Sequence, residues 1–155
     1  MTSIGDSKIV FRQEEAAMHQ LDRAIALFIN ERDYLCALTL AGAADGILGE
    51  MLKTAGHPTA LDDHVAQIRA AEPQGASEKQ LKDEVFNFTR NLLKHKMKDR
   101  KVSDQAEFSV PLETQAIYMI TRAIGNSVKL RHEFIGNRLL FAEWVYKHRP
   151  DLIGD

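Results

Sequence analysis

Arg90, Asn91, Lys94 and His95, followed by Lys96, Lys98, Arg100 and Lys101, are the residues whose types and spacing best suit chemistry. A guanidinium can hold a phosphate through two parallel hydrogen bonds, an imidazole moves protons near neutral pH, and an amide can orient either partner. Five cations fall within the eight residues 94–101, with Asp99 alone opposing them. Such a run supplies salt-dependent attraction for a phosphate backbone, and equally suits a solvated surface. No aromatic residue follows until Phe108, so stacking on bases has little support.

One helix must position these groups. Ser77 and Gln80 have the spacing of a capping box, which launches an expected helix over 78–94. Leu81, Val85, Phe88 and Leu92 follow at i, i+4, i+7 and i+11, so one apolar stripe faces a core. Arg90 lies about 140° from Val85, at the border of that stripe. His95 would point about 140° further round if the helix continued. The two meet at one site if the helix ends near Lys94, or if a second copy of the chain supplies one of them.

Arg90-Asn91-Leu92-Leu93-Lys94-His95 resembles the Arg-polar-x-x-x-His motif of the HEPN superfamily, small helical bundles that include metal-independent ribonucleases. The resemblance implies a motif at a helix end and a site shared across a homodimer. It also implies RNA as substrate, and an antitoxin-like protein as a further partner. On it, Arg90 holds the scissile phosphate, His95 takes part in proton transfer at the 2′-hydroxyl or leaving oxygen, and Asn91 orients one of them. A looser Arg-to-His spacing recurs at Arg12 and His19. The Asn, the helix end and the following cations set Arg90–His95 apart.

At 155 residues the chain is expected to form one domain, large enough to bury about 70% of its unfolded surface. A net charge of −2 gives no global field for nucleic acid or membrane, so any such attraction is local. One cysteine, Cys36, excludes an intrachain disulfide and fits a reducing compartment. Residues 1–16 hold no apolar signal core, and the least charged run, 34–44, is too short to cross a bilayer. A cytoplasmic protein without a membrane partner is expected.

Residues 1–10 read as a flexible lead-in. Phe11, Met18, Leu21, Ile25 and Phe28 share a face of a helix over 11–30. Asp33 caps a second helix over 34–54, rich in Ala and Gly, suited to the centre of a bundle or to self-association. Gly56 and Pro58 end it, and a short helix is expected over 61–71. Ser109 is expected to cap a helix reaching about His132, bent at Gly125-Asn126. A last helix over 133–147 is apolar over most of its circumference and either closes the core or meets a partner.

No metal site is expected. Glu15/His19 suit an exposed helix pair, and His57, Asp62, Asp63 and His64 lack the spacing of a zinc site. Gly-rich phosphate loops, Cys-x-x-Cys, Gly-x-Ser-x-Gly and His-Glu-x-x-His are missing, so no cofactor is expected. Cys36 reads as a small core residue. The sequence therefore predicts an all-α up-down bundle of five or six helices, HEPN-like, with Arg90, Asn91 and His95 as catalytic residues. Lys94, Lys96, Lys98, Arg100 and Lys101 are the expected nucleic-acid contacts. The alternative is a non-enzymatic helical interaction module in which Arg90 is a structural ion-pair residue.

Overall fold

The computed structural model describes residues 7–94 and 107–154. About 74% of it is helical, seven α-helices together with π and 3-10 segments, and the described residues contain no strand. The fold is an all-α bundle, as the helical spacing and missing strand alternation predict.

Helix α1 (Gln13–Ala26) passes into a π-helical turn, Leu27–Glu31. Arg32 then adopts a left-handed conformation (φ 53°) and turns the chain into α2 (Tyr34–Thr54). Asp33 Oδ1 accepts from Cys36 N at 3.1 Å, the expected cap. Gly56, at φ +77°, ends α2 in a conformation that side-chain-bearing residues rarely adopt. Helix α3 (Ala60–Ala71) opens with a reciprocal cap between Thr59 and Asp62. Helix α6 (Leu112–Lys129) runs without a break through Gly125-Asn126. A Cβ on Gly125 would lie 3.1 Å from Ala60 Cβ, so this glycine admits α3 close to α6.

Helix α2 is the centre, packed between α1 and α6. Its Ala37, Leu38, Ala41, Ala44 and Leu48 join Leu21, Ile25, Ile117 and Ile120 in the main core. Helix α7 (Asn137–His148) lies on α1, with Phe141 set edge-on to Phe28 at 5.4 Å. The predicted closing role belongs to Phe141, Trp144 and Val145 alone, since Leu139, Leu140 and Tyr146 stay exposed. Although α2 is long and apolar enough to cross a membrane, half of that window is buried in the bundle. Cys36 is exposed, because the Asp33 cap places it on the outer side of the first turn of α2.

The expected helix 78–94 is the element that differs most. Its capping box is present, with Gln80 N donating to Ser77 Oγ at 3.2 Å and Ser77 N to Gln80 Oε1 at 3.0 Å. After the single turn α4 (Glu78–Gln80), however, the chain widens into a π-helical segment, Leu81–Phe86. It breaks at Asn87 and resumes as α5 (Phe88–Lys94). A π turn holds an extra residue, which rotates everything after it relative to a 100° wheel. Val85 and Phe88 consequently face solvent, and Thr89 takes an inward position.

Candidate functional site

Asp45 is buried in the middle of α2, the one carboxylate inside the main bundle among the described residues. Its Oδ2 accepts from Arg122 Nη2 at 2.7 Å, and its Oδ1 from Asn126 Nδ2 at 3.0 Å. Arg90 Nη1 approaches Oδ2 at 3.5 Å, the longest of the three contacts. Arg122 and Asn126 sit at i and i+4 on the inward face of α6, so one helix delivers both. Arg122 Nη1 also donates to Asn87 Oδ1 at 3.0 Å, fixing the break before α5. Asn126 Oδ1 in turn accepts from Ala60 N at 2.8 Å at the start of α3.

The balance of this cluster is positive. Two guanidinium ions meet one carboxylate, leaving a net charge of +1 in a partly desolvated setting. Burial pushes the Arg90 pKa down; Asp45 opposes that shift, and Arg122 adds to it. The Nε atoms of Arg90 and Arg122 are buried without a partner, so neither guanidinium is fully satisfied by the fold. Arg90 remains 25% exposed, whereas Arg122 is 9% exposed.

The stem of Arg90 lies across Gly42. A Cβ at Gly42 would meet Arg90 Cγ and Cδ at 3.0 Å, closer than nearly all Cβ contacts. Part of the small-residue composition of α2 thus makes room for this one side chain. Beyond it opens a groove of about 470 Å³, lined by Thr39, Ala43, Gly46, Ile47, Leu93 and Lys94 together with Gly42 and Arg90. A second cavity, about 280 Å³ and mostly polar-walled, lies toward Asn87, Thr59 and Lys82, and Arg90 lines it too. At its rim Lys82 Nζ meets Asp62 Oδ1 at 2.6 Å and Glu78 Oε1 at 2.7 Å.

Of the expected site residues, Arg90 and Lys94 reach the same groove, while Asn91 is exposed on α5. His95, Lys96, Lys98, Arg100 and Lys101 lie outside the described residues. Asp45, Asn87, Arg122 and Asn126 did not stand out in the sequence. The available signal was a lone carboxylate inside an apolar helix, opposite an Arg/Asn pair at i, i+4 within an otherwise apolar face. Among the described residues no three His, Cys, Asp or Glu side chains come together as metal ligands. Glu15, His19, His57 and His64 are exposed, and Cys36 has its pKa raised by its Asp33 partner. Compared with protein-family models, curated proteins and solved structures, the chain matches none.

Proposed function

We propose that this chain is a HEPN-like protein that binds RNA and cleaves it without a metal. The observation that carries the reading is Arg90, a tethered but unsaturated guanidinium at the edge of an open groove beside Lys94. Asp45 holds its far end through a 3.5 Å contact that Arg122 already contests at 2.7 Å. A phosphate entering the groove would meet a cation oriented in advance, and would offset the surplus charge of the cluster. His95, adjacent in sequence to Lys94, is the proton-transfer group in this reading, and Asn91 orients it or the phosphate. Lys96, Lys98, Arg100 and Lys101 add attraction for the flanking backbone.

The partner we propose is a second copy of the chain. The outer stripe of α2, through Thr39, Ala43, Gly46 and Glu50, is exposed, and apart from the helix's own backbone no atom lies within 4 Å of where a Gly46 Cβ would stand. Pairing there would bring two Arg90 residues to one cleft. An antitoxin-like protein covering that cleft is the further partner the resemblance adds. A cytoplasmic setting suits the exposed Cys36 thiol.

The test is incubation of the protein with a mixed RNA pool in EDTA, followed by analysis of product ends. Metal-independent attack by the 2′-hydroxyl leaves 2′,3′-cyclic phosphates, and no cleavage under these conditions refutes the reading. One observation favours the second reading, an interaction module without catalysis. The Arg90–Asp45 ion pair is what a purely structural arginine would make. On that reading Arg90→Ala lowers stability and leaves no RNA-dependent property to lose.

A further inference from the structure

Residues 9–11, Ile-Val-Phe, are 80%, 98% and 65% exposed, the largest run of uncovered apolar surface in one stretch of the described chain. They belong to neither helix nor strand, and Arg12 at their end is extended (φ −92°, ψ 147°) as it enters α1. An extended chain puts Ile9 and Phe11 on one side. Three adjacent large apolar residues held in water are unfavourable, and clustered apolar surface of this kind marks a contact.

A matching hollow begins at the foot of this segment. It is a groove of about 510 Å³ between the start of α1 and the outer face of α2, lined by Gln13, Gly46, Ile47, Glu50 and Met51. Gly46 contributes no side chain, so its floor is open, while Ile47 and Met51 make its walls apolar. Its one charged lining residue is Glu50, and residues 9–11 are flanked by Lys8 and Arg12. Apolar fit and charge thus agree. Gln13, two residues after Phe11, lines the hollow, so knob and hollow adjoin in one surface patch. A two-fold contact between identical chains requires that property, because each patch must supply both halves of the contact. About 3.4 Å per extended residue lets residues 8–11 cross such an axis.

We infer that residues 8–11 form an exchanged arm, Ile9 and Phe11 of one copy seating over Gly46 between Ile47 and Met51 of a second copy. The inference rests on the homodimer proposed above and assigns the element that locks it. Reciprocal exchange covers both hydrophobic segments and sets Lys8 or Arg12 against Glu50 of the opposite chain.

Sedimentation of the full chain at micromolar concentrations, wild type against Ile9→Ser/Phe11→Ser, is the first measurement. Both positions are exposed, so the double variant should keep the wild-type helical spectrum and weaken dimerisation by about tenfold or more. The second mixes two Cys36→Ser chains, one carrying Phe11→Cys and the other Met51→Cys. A disulfide-linked heterodimer is expected on mild oxidation. A monomeric wild type overturns both the dimer and the arm. A wild-type dimer that the Ser variant leaves unchanged, or a mixture that yields no disulfide-linked heterodimer, overturns the arm while sparing the dimer.

Discussion

Gly42 and Gly46 stand one helical turn apart on α2 and serve different ends. At Gly42 an added methyl would push the Arg90 stem, its nearest atoms 3.0 Å away. At Gly46 nothing lies within 4 Å. Gly46→Ala should therefore stabilise the isolated chain by about 1 kcal/mol, the ordinary helix-interior gain of Ala over Gly. Gly42→Ala should gain little or nothing, because displacement of Arg90 offsets the same term. Urea melts of the two variants check the difference, and equal gains would mean that Arg90 does not rest on Gly42. Asp45 supports a larger prediction. Asp45→Ala leaves Arg122 buried without its counter-ion, which should cost about 3 kcal/mol or more. A loss below about 1 kcal/mol would show that the cluster is not desolvated in solution. Arg90 and Lys94 were each legible as candidates because charge and spacing are visible in a sequence; His95, the partner expected for Arg90, lies outside the described residues. Asp45 was not, because its partners arrive 77 and 81 residues later from α6.

Element boundaries were most legible where local chemistry sets them. Helix α2 runs over the expected residues because the Asp33 cap and Gly56 act on their own neighbours. Ser109 fails as the expected cap of α6, whose N-cap is Pro111 without a side-chain bond. The π segment Leu81–Phe86 was not legible in the sequence for a different reason. Its register is set by packing of Leu81 and Phe86 on Leu61, Val65 and Ile68 of α3, contacts that no wheel drawn on one helix contains. A clip holds these two elements together from the polar side, where Lys82 bridges Asp62 and Glu78. Burial pushes the Asp62 carboxyl up, but Lys82 and hydrogen bonds from Thr59 overcome it and hold the pKa at about 2, against an ordinary 3.8. The folded chain thus takes up this proton less readily than the unfolded one. The stabilisation is complete above about pH 4 and is lost as pH falls through 2. With the pair about a quarter exposed, its size should be about 1–2 kcal/mol. Asp62→Asn should melt below wild type at neutral pH, and the two curves should converge on acidification. A gap that is constant with pH would remove the carboxylate as its cause.

At the scale of the molecule, α2 joins the bundle core on one side and lines the open groove on the other. That division explains its composition: the large apolar residues pack into the core, while the small residues on the other side leave room for the groove and for the Arg90 stem. All-α architecture was legible because helical periodicity recurs through most of the chain. The arrangement around Arg90 was not, since it depends on α6 crossing α2 at Asp45. The account stands or falls on whether that arrangement serves phosphate chemistry. The most direct measurement compares wild type, Arg90→Ala and His95→Ala for cleavage of one RNA pool in EDTA, with circular dichroism on the same samples. The account predicts rate losses of about 10²- to 10⁴-fold for His95→Ala, a comparable loss with weaker RNA binding for Arg90→Ala, and helical spectra like wild type in both. Equal cleavage by all three proteins, or cleavage by none, would contradict it.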